Sequence, residues 1–417
     1  MPATLTLSRI LDELKPGMTV FVSGMSGEST ALYQALQARP EAAAGVRFVG
    51  ALFPGINRSD YLGLAPDARQ RAYFMLPGLR RGLLDQRAEL MPLDYPGIYR
   101  DLEQLPEVDI ALAQFSFPDQ SGHCSPGVSC DFQPAVWARA KRRIAHLNPA
   151  MPRTRSSFQV RYADLDAVFE AEQEILTYDT GSADESMSAH AGLVASLVRD
   201  GDTLEFGVGK LQAGILAALS AHQRLRVWSG MASTPILPLL DRGVIAGKGS
   251  VNIGVALGNR EFYERAGRDE AFCFRPVSET HDVAAIAAID SFCAINSAVE
   301  VDLFGQVNAE SANGRLIAGV GGLPAFAAGA LRARWGRSII AMPACTEDGR
   351  SRIVAQLAGP GMAALPRQAA DYVVTEFGIA ALRGLGLAQR AAALITVAAP
   401  VHRETLAARW HDCFRAL

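Results

Sequence analysis

The side chains able to do chemistry in this 417-residue chain fall into a few short stretches. Two are glycine-rich: Gly207-Val208-Gly209, and Gly319-Val320-Gly321-Gly322 just ahead of Leu323. Glycine lets the backbone come close to a ligand, and successive amides at a strand-to-helix turn can point at an anion or a polarised carbonyl. Tight helix–strand packing would ask for the same residues at 207 and 209, and Leu211 and Gln212 follow where a dinucleotide fingerprint needs a third glycine at 212. Gly247-Lys248-Gly249-Ser250 imitates a phosphate loop, but Arg242 stands where that loop needs its first glycine, and it reads as a surface turn. His123, Cys124, Cys130 and Asp131 are metal-ligand types without zinc spacing. His123 and Cys124 are also neighbours, which on a strand point to opposite faces and work against a Cys–His pair. No Gly-x-Ser-x-Gly elbow occurs. The remaining candidates are Glu28 in a Gly-rich turn, Glu205 in mid-strand, Ser229 and Ser233, and Glu300 with Asp302, which strand periodicity puts on one face as scaffold.

Elements that must hold these residues alternate between short β-rich runs and Ala/Leu-rich helical stretches, which predicts an α/β fold with largely parallel sheets. Thr19–Gly24 reads as a strand meeting a Gly turn with a helix from Ala31 to Gln37, and Thr203–Gly209 repeats the pattern. Gly24 and Gly207, Leu36 and Leu219, Asp119 and Asp302, and Gly122 and Gly305 keep one offset of about 183 residues. A constant offset across four landmarks is the mark of a duplicated unit. We therefore expect two similar open α/β domains, residues 1–185 and 186–417, with a ligand cleft between the carboxyl ends of their sheets.

A formal charge of -3, with Lys only at 15, 141, 210 and 248 and the Arg scattered, gives no basic patch and argues against a nucleic-acid partner. Six separated cysteines with no CxxC pair fit reduced thiols in the cytoplasm. The first twenty residues have neither a basic n-region nor an unbroken apolar run, and no window reaches the about 20 apolar residues that cross a bilayer. A soluble, cytoplasmic protein without a membrane partner is expected.

Seven colinear segments carry a family resemblance: PDQSGHCSPGVSCD from Pro118, LNPAMPRT from Leu147, TLEFGVG from Thr203, INSAVEVDLFGQVNAES from Ile295, AGVGG from Ala318, SIIAMPACTEDGRSRIV from Ser338 and VVTEFGIAALRG from Val373. From about residue 8 to about residue 406 the chain resembles the class I CoA-transferases, in the acetyl-CoA hydrolase/transferase branch that includes 4-hydroxybutyrate and butyryl CoA-transferases. The resemblance implies that acyl-CoA is a substrate and that no cofactor or metal is tightly bound. It implies that Gly207, Val208, Gly209 and Met231 flank the thioester carbonyl, and that Gly319, Val320, Gly321, Gly322 and Leu323 bind CoA. It also implies a homodimer or homotetramer. Leu323 and Ala325 depart from the family, where Gln and Asp are usual, which suggests a more apolar pocket.

One departure bears on mechanism. The family works by ping-pong: a glutamate attacks the acyl-CoA carbonyl, and the anhydride becomes a glutamyl-CoA thioester that passes CoA to a second acid. Relatives read His-Thr-Glu-Met where this chain reads Trp228-Ser229-Gly230-Met231, so Gly230 occupies the glutamate's position. Glu28 as general base and Ser229 as nucleophile are the candidate replacements. The expected function is acyl transfer from CoA to a bound acceptor or water without the glutamyl-CoA intermediate. The alternatives are a CoA-transferase using a substitute carboxylate, a non-catalytic acyl-CoA-binding subunit, or a CoA-thioester decarboxylase or lyase. On this reading Gly230→Glu should introduce or raise CoA-transferase activity while the native activity falls.

Overall fold

The structure is a computed structural model and describes residues 1–181, 186–357 and 363–415. Eight strands make the main sheet of the first half: β1 (Ala3–Thr4), β2 (Thr19–Val22), β3 (Arg47–Val49), β4 (Arg69–Ala72), β5 (Ala88–Leu90), β6 (Ile110–Phe115), β7 (Arg142–Leu147) and β8 (Ala167–Glu170). They form one parallel sheet in the order β1-β8-β7-β6-β2-β3-β4-β5. Its two middle strands are β2 and β6, and β6 is an unbroken buried run Ile-Ala-Leu-Ala-Gln-Phe, as a strand covered on both faces requires.

The second half repeats the pattern with β9 (Thr203–Phe206), β10 (Arg226–Ser233), β11 (Val251–Leu257), β12 (Phe272–Phe274), β13 (Phe292–Asn296), β14 (Arg337–Ala341), β15 (Tyr372–Thr375) and β16 (Gly378–Ala381). Six of these run β10-β9-β13-β14-β15-β16, matching β3-β2-β6-β7-β8-β1 strand for strand. The parallel pair β11-β12 follows β10 along the chain as β4-β5 follows β3. The halves differ at one edge, where β16 is antiparallel to β15 and β1 is parallel to β8. The duplication expected from the glycine landmarks is thus an α/β fold of two similar eight-stranded halves.

Compact packing divides the chain into one unit of residues 1–179 with 251–280 and a second of 180–250 with 281–417. The first unit takes in the 251–280 segment, which a single cut after residue 185 does not describe; residue 185 itself lies outside the described residues. The reason is a set of backbone bonds to the Cys-rich motif: Cys130 N donates to Gly254 O at 2.9 Å, and Ala256 N donates to Val128 O at 2.8 Å. Ser26 Oγ adds a bond to Ala256 O at 2.8 Å.

Each half sends a helix from its central strand. In the first, α1 (Thr30–Ala38) is capped by Ser29, whose Oγ accepts from Leu32 N at 3.2 Å. In the second, α2 (Lys210–Ala218) starts at Gly209, whose φ of 128° excludes a side chain. A third helix, α3 (Leu323–Arg332), starts at Gly322 with Pro324 in its first turn.

Candidate active site

In the second unit the turn Gly207-Val208-Gly209 is half-exposed after the fully buried β9. No side chain caps the first turn of α2, where a helix leaves N–H donors without intrahelical partners. Gln212, nearly buried, donates from Nε2 to Ser297 Oγ at 2.6 Å, which ties α2 to the loop after β13.

Ser229 lies on β10 beside this turn and is fully buried. Its Oγ donates to Phe206 O at 3.2 Å and accepts from Met231 N at 3.3 Å. The hydroxyl is thereby used in joining β10 to the end of β9. We expect Ser229→Ala to cost roughly 1–2 kcal/mol in stability while kcat falls by less than about tenfold; a far larger fall in kcat would make Ser229 the nucleophile.

Gly230 is buried, and the space beside it is filled. A Cβ placed on Gly230 would stand 3.0 Å from His281 Cε1 and 3.1 Å from His281 Nε2. A Cβ on Gly322 would stand 2.5 Å from the same Nε2. One imidazole therefore sits against both glycines, backed by Phe326 with ring centroids 4.5 Å apart. Burial pushes the His281 pKa down to about 3, so the ring is neutral at physiological pH. Nothing in the sequence around His281 distinguishes it; only the folded chain brings it to Gly230.

The two candidate carboxylates are both buried. Glu28, in the first unit, accepts from Asn57 Nδ2 at 2.8 Å and from Tyr61 OH at 3.4 Å. Asn57 also accepts from the Met25 and Phe53 amides, so the carboxyl is part of a knitted turn. Burial raises the Glu28 pKa, opposed by hydrogen bonds from Ser59, Asn57 and Tyr61. Glu205 accepts from Asn296 Nδ2 at 2.7 Å, and burial pushes it up to about 8. This is the core position that its place in mid-strand suggests.

The Gly319–Gly322 turn is half-exposed, with Gly321 at a φ of 65°. Val320 packs partly against the apolar core of this unit, and Leu323 is one of the buried residues of that core. Leu323 therefore serves packing with its side chain, leaving its backbone for any ligand; Ala325 is buried as well. In the first unit, Cys124 is buried with its thiol pushed up to about 11 by desolvation, and Cys130 is pushed higher still. Such thiols stay protonated and are poor nucleophiles. Asp302 Oδ1 accepts from Phe304 N and Gln306 N, and Oδ2 from Gln306 Nε2, which shapes a turn. Among the described residues no helix is long and apolar enough to cross a membrane.

Two α/β halves of one topology, each sending a glycine turn and a helix from its central strand, define the class I CoA-transferase architecture. Residues 4–177 match the acetyl-CoA hydrolase/transferase N-terminal domain and residues 258–410 its C-terminal domain, and the chain belongs to that family of transferase-class enzymes acting on CoA thioesters. It is 31% identical over 411 residues to 4-hydroxybutyrate coenzyme A transferase of Clostridium kluyveri, covering 96% of this chain and 95% of that protein. It is 30% identical over 350 residues to the succinyl-CoA:acetate/propanoyl-CoA:succinate CoA transferase of Fasciola hepatica, covering 81% of this chain and 73% of the relative. Among solved structures, RipA from Yersinia pestis matches with a TM-score of 0.91 at 26% identity, covering 99% and 98% of the two chains. The 4-hydroxybutyrate CoA-transferase of Porphyromonas gingivalis matches with a TM-score of 0.80 at 26% identity, covering 100% and 98%.

Proposed function

We propose that the protein transfers CoA between an acyl-CoA and a free carboxylic acid, and that the acceptor's own carboxylate takes the part that the family gives to an enzyme glutamate. Similarity to the CoA transferases of Clostridium kluyveri and Fasciola hepatica supports CoA transfer over simple acyl transfer to water. The observation that carries the mechanism is Gly230 with the His281 ring 3.0 Å from where its Cβ would stand. Position 230 has no carboxylate and is crowded by that ring, and Glu28 and Glu205 are held in buried hydrogen bonds.

The chemistry balances without an enzyme nucleophile. A carboxylate oxygen of the acceptor attacks the thioester carbonyl, the C–S bond breaks, and a mixed anhydride and CoA thiolate result. The thiolate then attacks the acceptor-derived carbonyl, the C–O bond breaks, and the donor acid leaves as a carboxylate beside a new thioester. No net proton transfer is needed. The Gly207–Gly209 amides with the N-terminus of α2 would receive the developing oxyanion, and the Gly319–Gly322 turn would hold the thiolate end of CoA.

The covalent reading keeps ping-pong kinetics through Glu28 or Glu205, and the two are separable. With an acceptor labelled with oxygen-18 in its carboxylate, direct attack puts one labelled oxygen into the donor acid released in a single turnover, and initial-rate plots intersect. Parallel plots together with unlabelled donor acid would sink the direct reading and return the role to an enzyme carboxylate.

A further inference from the structure

Gly230 and Gly322 lie on different elements of the second unit, within β10 and at the start of α3, yet both abut His281. Its neighbour Phe326 is followed by Phe292, 6.2 Å further by ring centroids, and Trp228 packs against the same apolar cluster with Ile286 and Ala330. His281 itself is 2% exposed. A Cβ at 230 asks the ring to give by a few tenths of an ångström, and a longer side chain has to push it further against Phe326 and the cluster behind it.

We infer that His281 decides what position 230 can carry: the imidazole in place disfavours any side chain at 230, and a carboxylate-bearing side chain is seated there productively when residue 281 is small. His281 is thus a positioning residue that holds the site in the form without an enzyme carboxylate, an inference that rests on the substrate-carboxylate reading above. The two glycines and the imidazole behave as one steric unit. Gly322 has the narrower tolerance, since its Cβ would come closer to the ring than that of Gly230. The single change Gly230→Glu, which the sequence alone predicts to create transferase chemistry, meets the ring first.

The test compares Gly230→Glu with Gly230→Glu/His281→Gly. Each is incubated with acetyl-CoA, treated with borohydride, and mapped by peptide mass spectrometry for an adduct on residue 230. We expect at least about tenfold more adduct in the double variant than in the single one. Equal adduct in both, or none on a double variant that keeps the wild-type circular dichroism, overturns the inference. A milder cycle covers failure to fold: Gly230→Ala should lower the melting temperature by several degrees with His281 present and leave it nearly unchanged in a His281→Ala background. Equal losses in the two backgrounds also overturn it. These outcomes are independent of the oxygen-18 result on the wild-type enzyme, so the steric inference and the mechanistic reading fail separately.

Discussion

Replacing Asp202 by alanine is expected to destabilise the second unit by about 3–5 kcal/mol, the cost of leaving a buried guanidinium without its counter-ion. Asp202 precedes β9 and is 1% exposed, and its Oδ2 pairs with Arg337 Nη2 at 2.5 Å and accepts from Arg199 N at 2.6 Å. Arg337 begins β14, so the pair spans the intervening β13 and clamps three central strands at their amino ends. Among the described residues its Nε and Nη1 have no hydrogen-bond partner, so the charge is under-satisfied and this carboxylate is its ion-pair partner. Asp202→Ala combined with Arg337→Met should recover most of the loss, because an apolar replacement of both partners removes the desolvation cost together with the attraction. Urea titration followed by tryptophan fluorescence would read this, since Trp228, Trp335 and Trp410 all lie in the second unit. A loss below about 1 kcal/mol, the range of surface pairs, would mean that the pair is solvated in solution.

Glu205→Gln should stabilise the protein in a pH-dependent way. Burial holds the Glu205 carboxyl at about 8 against an ordinary 4.5, with hydrogen bonds from Asn296 and Ile295 opposing it. Below pH 4.5 the folded and unfolded chains both keep the proton, and the group contributes no difference. Between 4.5 and about 8 the unfolded chain has released the proton and the folded chain retains it, so stability falls as pH rises. Above the folded pKa the penalty is constant. Glutamine does not titrate and its carbonyl can accept the same Asn296 donation. The stability difference between Glu205→Gln and wild type should therefore grow by about 2–5 kcal/mol from pH 5 to pH 8. A difference that stays flat would show that Glu205 is ionised and solvated, and would reopen it as a nucleophile.

Much of the fold could be read from the residues because the signals were local and repeated. Glycines at 24, 122, 207 and 305 recur at strand-to-turn positions in both halves, and their constant spacing exposed the duplication. Gly209 and Gly321 do adopt the positive φ that only glycine takes easily. Tertiary contacts were less legible. Glu28 is chemically a candidate base, and only the fold shows Asn57 and Tyr61 enclosing it. Ser229 looked like a spare hydroxyl until the carbonyl of Phe206, on the neighbouring strand, claimed it. His281 was missed because its meaning lies in two glycines 51 and 41 positions away that no periodicity connects to it. Leu323 reads in the sequence as a change in ligand contacts, and only the fold shows its side chain buried in the core of the second unit.

The bonds from Cys130 to Gly254 and from Ala256 to Val128 also constrain how the chain comes into being. On the ribosome the first unit cannot close when its first 179 residues have emerged, because β11 and β12 are still unmade. Residues 180–250 must be synthesised first, so the unfinished first unit shares its wait with a growing, equally unfinished neighbour of the same topology. The usual order, in which an amino-terminal domain is completed before the next begins, is closed to this chain. A gene cut between the two halves would yield a first fragment with the buried motif around Cys130 left unsealed.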